Sequence, residues 1–315
     1  MHGSSAKKMK AAKTTEAPVW LAWLLVLAYY ICACLMHLRF SLWLVRKRET
    51  PWGTLAYADA MPVVATACFL GLLLWIAMQL RKNARSGTIA GYWLAWFFAA
   101  VLVDRYLTFS INEYFHYPQY GILAWLVARA MDPQRCHWCV GRVLFWTTFM
   151  GIGDEVLQYL WITISYSEYV DFNDFIVNLV AAAAGVFLYY GSAPPARAFT
   201  RQRKPVLEYF VISAFVLAVL TGLSAGYIVA RPEEKIPPGG ITHLATGEWR
   251  LYLQRGPNFY GAWQDGPRHG RYFVMPPIPG TLILVATGMV FAGFGRVGAK
   301  KSPQASEGLG DEARV

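Results

Sequence analysis

Three groups of polar residues interrupt otherwise apolar stretches of this chain, and their spacings agree. Glu113, His116 and Tyr120 fall at i, i+3 and i+7, which places them on one face of a helix. Glu155 and Gln158 are three residues apart, with Asp154 adjacent. Asp171, Asp174 and Asn178 repeat the i, i+3, i+7 pattern. Ionisable groups within apolar segments are costly, so each needs a reason to be there. No basic residue lies between Arg142 and Arg197, so the carboxylates of the second and third groups leave an excess of negative charge. Such a set binds a cation, shares protons through raised pKa values, or recognises a cationic or polyhydroxylated group. Taken singly the residues have plainer roles. Asp171 precedes a helix start and Asp174 suits a first turn, while Gln158 and Asn178 serve as hydrogen-bonding glue between helices.

Other chemistry-bearing residues carry weaker signals. Cys136 and Cys139 form one CxxC around His137 and Trp138, and without a second ligand pair they are poor zinc ligands. Cys32, Cys34 and Cys68 lie in apolar runs as small hydrophobes. Asp104 and Arg105 pair locally or reach the interface, Asp59 caps a helix before Met61-Pro62, and His37 is a lone interfacial histidine. Pro118 starts or kinks the helix after His116. The sequence contains no complete metal-ligand set, no cofactor motif and no convincing nucleophile.

The elements that position these residues follow from composition. Of 315 residues, 56% are hydrophobic and only 15% charged, against about 45–50% and about 25% in soluble domains. Apolar runs long enough to cross a bilayer recur, so disordered, collagen-like and ordinary soluble classes are excluded. The class expected is an all-α integral membrane protein of about eight transmembrane helices with a small β-rich extracytoplasmic segment. The runs are 19–38, 60–80, 92–109, 118–131, 139–160, 174–191, 206–230 and 277–295. The fourth is short for a crossing: it is tilted, re-entrant, or continuous with the polar stretch before it. The run from Val19 is longer than a signal-peptide core and lacks a cleavage site, so it reads as a retained helix.

With eight spans, the segments on the side of the termini carry 18 Lys/Arg and the opposite ones 10, which places both termini in the cytoplasm, although Arg46-Lys47-Arg48 runs against the asymmetry. The net charge of +10 is thereby a topology signal rather than a nucleic-acid footprint. The organisation expected is a basic tail (1–18), two helices (19–91), a core (92–191), a C-terminal helix pair (192–295) with an outer β-rich segment at 231–276, and a second tail (296–315). In the outer segment, Trp249–Gln254 alternates like a half-buried strand between Pro237-Pro238-Gly239-Gly240 and Gly256-Pro257. In this topology all three polar groups reach the outer ends of their helices and form one outward-opening acidic pocket.

At these same residues the chain resembles the VanZ-like family of multi-pass bacterial membrane proteins. Asn112-Glu113-Tyr114-Phe115-His116 with Tyr120 and Leu123 is similar to the family's acidic-x-x-His…Tyr-x-x-Leu segment. Asp154-Glu155-Val156-Leu157-Gln158 resembles its Glu-x-x-Gln helix, and Asp171, Asp174, Asn178 and Gly185 its Asp-x-x-Asp-x-x-x-Asn…Gly segment. The likeness covers about 92–191. It departs where the family has an Arg before the Asp pair, here Ser167-Glu168-Tyr169-Val170, and where a Gly often follows the Asn, here Ala181. The resemblance implies a bacterial inner-membrane, envelope-related role, the family's namesake being associated with resistance to a teicoplanin-type antibiotic.

The function expected is binding of a lipid-linked or envelope glycan, or of a polar headgroup, at the acidic pocket, with effects on the envelope or on glycopeptide-type antibiotic susceptibility. Glu155, Asp171 and Asp174 would accept hydrogen bonds, Gln158 and Asn178 would orient them, and Glu113 and His116 would complete the wall. Partners would be membrane lipids and not nucleic acid. Two alternatives are a lipid-modifying enzyme with His116/Glu113 as base and Glu155 as acid, and a proton- or cation-coupled transporter.

Overall fold

The computed structural model describes residues 18–51, 53–82, 86–135, 139–164, 168–191, 204–257, 261 and 263–294. Each apolar run folds as a helix: α1 (Val19–Val45), α2 (Met61–Lys82), α3 (Ser86–Tyr106), α4 (His116–Met131), α5 (Val140–Leu157), α6 (Phe172–Gly191), α7 (Val206–Ser224) and α8 (Pro277–Phe294). Four stretches, Val19–Val45, Tyr57–Arg81, Phe172–Gly191 and Val206–Ser224, are long and apolar enough to cross a membrane, and Pro277–Gly293 is a shorter apolar helix. The first, second and fourth of these have few fully buried residues and turn Leu24, Leu70 and Leu217 outward. Apolar surface on that scale is stable against lipid rather than water, as in a membrane protein.

The short fourth run is not peripheral. At 16 residues, α4 is about 24 Å long and forms the centre of the bundle, with α1, α5 and α6 packed around it. Tyr120, Leu123, Ala124, Val127 and Ala128 meet Val143 of α5 and Ala181, Ala182 and Val186 of α6 in the main core. Small residues allow close approach there. A Cβ built on Gly185 would collide with the Gly121 carbonyl oxygen, so the α4 and α6 backbones touch where they cross.

The seam between α5 and α7 contains a buried charge that local pattern does not reveal. Arg142 Nε donates to Glu208 Oε1 at 2.6 Å, Trp146 Nε1 donates to the same oxygen at 3.2 Å, and Glu208 is fully buried. Removing one partner strands the other. Glu208→Ala is expected to cost about 2–4 kcal/mol, at the lower end because Arg142 keeps some exposure, whereas Glu208→Leu with Arg142→Met should be near neutral. Thermal unfolding of the three variants in detergent checks this; an additive double mutant would show that the pair is not coupled.

Helix α7 ends earlier than the expected 230. It stops at Ser224, where Gly226 takes a positive φ of 76° and turns the chain into strand β3. A short hairpin, β1 (Arg48–Thr50) and β2 (Gly53–Leu55), follows α1 and places the Arg48 guanidinium over the Trp43 and Tyr57 rings. Asp59 accepts a bond from the Ala56 N–H at 2.7 Å in the turn ahead of α2.

The segment between α7 and α8 is β-rich. A three-stranded sheet has the order β3 (Ile228–Val229), β5 (Trp249–Tyr252), β4 (Thr242–His243), with β3 parallel and β4 antiparallel to β5. A hairpin, β6 (Trp263–Gly266) and β7 (Gly270–Phe273), follows. Asn173, buried at the start of α6, donates to the Phe273 carbonyl at 2.7 Å and to that of Leu107 at 3.0 Å, and accepts from the Met275 N–H at 3.1 Å. Asp104, rather than pairing with its neighbour Arg105, meets Arg268 at 2.5 Å and His269 at 3.1 Å in the hairpin turn. The β-segment is thus fastened to the C-terminal end of α3 and the N-terminal end of α6.

Candidate functional site

His116 opens α4 and is almost fully buried. Its Nδ1 lies 2.6 Å from Asn178 Oδ1, and Asn178 Nδ2 donates to Glu155 Oε1 at 3.3 Å. Asn178 is placed with its NH₂ toward Glu155 and its oxygen toward His116. The imidazole then carries its proton on Nδ1, and the Nε2 lone pair points away. Asp174 Oδ2 lies 3.9 Å from Nε2, beyond hydrogen-bonding reach, and Asp174 Oδ1 is buried with no hydrogen-bond partner among the described residues. The helices set this arrangement: α4 supplies His116 from its first turn, α5 supplies Glu155 near its end, and α6 carries Asp174 and Asn178 four residues apart on one face.

A second set adjoins the first. Tyr120 stacks on His116 at 5.9 Å between ring centroids and donates to Asp154 Oδ2 at 2.7 Å. Gln119 Nε2 donates to the same oxygen at 3.1 Å, while its Oε1 meets His37 Nδ1 at 3.2 Å. The His37 and His116 rings are 5.2 Å apart. His37 is therefore part of the polar core and not a lone interfacial residue. Its place depends on the packing of α1 against α4, and neither it nor Gln119 carries a local signal that would have found it.

Glu113 takes a different partner from the one its spacing implies. It lies in a 3₁₀ turn (Ile111–Phe115) ahead of α4, where its carboxylate accepts from the N–H groups of Phe109 at 2.9 Å and Ser110 at 2.8 Å. The i, i+3 rule assumes a continuing α-helix, so the His116–Glu113 base pair is replaced by His116–Asn178. Burial, then the charges of Asp174 and Asp171, push the Glu113 carboxyl well above its usual range. Asp171 caps α6, accepting from the Asn173 N–H at 2.9 Å and from the Tyr169 hydroxyl at 3.0 Å. Burial and then Asp174 raise its pKa to about 7.

Gln158 begins a π-helical turn (Gln158–Ile162) that extends α5, and its Nε2 has no hydrogen-bond partner among the described residues. No hydrogen bond joins it to the His116 group, although it stays one turn from Glu155. Single π turns often occur at functional sites. Of the CxxC pair, Cys136 lies outside the described residues, and the buried Cys139 donates its backbone N–H to the Tyr190 hydroxyl at 2.9 Å.

Among the described residues no Arg or Lys forms an ion pair with Asp154, Glu155, Asp171 or Asp174. Arg255 meets the segment that leads into α6. Its backbone N–H bonds the Glu168 carbonyl at 2.8 Å. Its guanidinium, however, is taken up by Tyr159, Thr242 and the carbonyls of Pro237 and Gly240.

A shallow, open apolar cleft lies between α5, α7 and α8, lined by Thr148, Ile152, Phe215, Leu284 and Phe291 among others. Thr148 and Ile152 precede Glu155 by seven and three residues, on the same stripe of α5. No family model, curated protein or solved structure matches this chain.

Proposed function

We propose that this protein is a VanZ-like integral membrane protein of the bacterial inner membrane that binds a lipid carrying a hydroxylated or ammonium headgroup. In this reading the lipid chain occupies the cleft between α5, α7 and α8, and the headgroup reaches the carboxylates at the end of α5. The observation that supports it most is the run along one stripe of α5, from Thr148 and Ile152 in the apolar cleft to Glu155 in a carboxylate group without Arg or Lys. Helix α7, which borders the cleft, has only Glu208 and Gly222 fully buried and turns Phe210, Leu217 and Leu220 outward, so a hydrocarbon chain is the occupant that the surroundings supply. Eight crossings with both termini in the cytoplasm, which the Lys/Arg asymmetry favours, would put the carboxylates near the outer leaflet. An effect on envelope properties or on glycopeptide-type susceptibility would follow from sequestering such a lipid.

Native mass spectrometry with lipid analysis tests this. Wild type is expected to retain one lipid class that Glu155→Gln/Asp174→Asn and Gly288→Leu each lose. Gly288 borders the cleft, and a Cβ there meets Ile212 and Phe145 only at ordinary contact distances of 3.6 and 3.7 Å, so the leucine fills the cleft without touching the carboxylates. The same bulk phospholipids in all three proteins would overturn the proposal.

A further inference from the structure

The geometry points to a divalent transition-metal site formed by His116, Glu155 and Asp174. One donor atom from each residue lies within 4.8 Å of the other two. Two facts beyond proximity indicate that something belongs between them. First, the His116 Nε2 lone pair, on a ring only 2% exposed, faces the Asp174 carboxylate across 3.9 Å. Without a cation or an added proton the two acceptors would face one another in a buried site, and the gap is too long for a hydrogen bond between them. Second, Asp174 Oδ1 is buried with no hydrogen-bond partner among the described residues.

The surroundings are those of a metal-binding histidine. Ligating imidazoles donate their other ring N–H to an oxygen that fixes tautomer and orientation, and Asn178 Oδ1 does this at 2.6 Å. The same amide holds Glu155 Oε1 through its NH₂, so one side chain orients two ligands. Donor–metal bonds of about 2.0–2.2 Å require the set to close by about an ångström when the ion binds. One imidazole with two carboxylates suits Zn²⁺ or Mn²⁺ better than Mg²⁺ or Ca²⁺, which favour all-oxygen shells. Three protein donors leave positions open for water or for an oxygen of a bound molecule. This inference stands on the triad and not on the lipid proposal.

The test is metal analysis of the purified full-length protein, stripped with EDTA and reloaded with Zn²⁺ or Mn²⁺. About one equivalent per chain is expected, with at least a tenfold loss of affinity in His116→Ala and in the isosteric Asp174→Asn, and no loss in Asp104→Asn, whose carboxylate serves the hairpin turn. Because the variants can fail to fold, Co²⁺ titration of stripped wild type provides a second measurement. Visible d–d bands that Zn²⁺ displaces support the site. Their absence, or equal metal content in wild type and Asp174→Asn, overturns it and leaves His116–Asp174 as an imidazolium–carboxylate pair.

Discussion

Gly185→Ala is expected to destabilise the bundle by about 3–5 kcal/mol or to prevent folding, while Gly121→Ala changes stability by no more than about 1 kcal/mol. The contrast comes from one contact. A Cβ on Gly185 would overlap the Gly121 carbonyl, and a backbone oxygen inside a helix cannot swing away as a side chain can. A Cβ on Gly121 would lie 3.5 Å from the Ala181 carbonyl, an ordinary contact, and alanine gains up to about 1 kcal/mol in helix propensity. Overpacking alone costs about 1–3 kcal/mol. Separating α4 from α6 adds the lost contacts of Tyr120, Ala124, Ala181 and Ala182, which are all buried at the seam. Thermal unfolding in detergent measures both variants. Asn178 lies two turns from Gly185, so any folded Gly185→Ala protein should also show weakened metal binding. Equal melting temperatures for the two alanine variants would refute the close crossing.

Arg255→Ala is expected to loosen the three-stranded part of the β-segment at a local cost of about 3–5 kcal/mol. The guanidinium is buried and bonds entirely to neutral acceptors: the Tyr159 hydroxyl at 3.1 Å, the Pro237 carbonyl at 2.9 Å, Thr242 Oγ1 at 3.1 Å and the Gly240 carbonyl. It also lies 5.7 Å from the Tyr159 ring centroid and 5.9 Å from that of Tyr252. Alanine leaves two carbonyls without donors and a cavity between the sheet and the end of α5. Lysine, a compact point donor without the planar fork, should recover only part of the loss. Hydrogen exchange across 228–257 should rise by at least a hundredfold in Arg255→Ala, while the exchange of α4 and α6 stays as in wild type. Unchanged protection of 228–257 would show that strand pairing alone holds the segment.

Much of the secondary structure was legible in the sequence. The apolar runs determined all eight helices, because a segment with little polar surface can satisfy its backbone in an apolar medium only as a helix. Turn residues on either side of an alternating run located strand β5. The ends were less legible. Helix α7 stops at Ser224 because Gly226 turns the chain, although the apolar pattern runs on past it.

For the site, spacing determined which residues share a face, and tertiary packing decided which residues meet. Asp174 and Asn178 lie on one stripe of α6 by local geometry, but whether that stripe faces His116 depends on the Gly121–Gly185 crossing. Glu113 and His116 have helical spacing and still part, because Glu113 belongs to a 3₁₀ turn and caps it. His37 joins the polar core from α1, and Arg255 is placed by pairing with residues 168–170. The periodicity of a helix extends only a few residues along its own axis. Glu155, Asp174 and Asn178 lie 39 to 62 residues from His116, and only the packing of α4 against α5 and α6 brings them together.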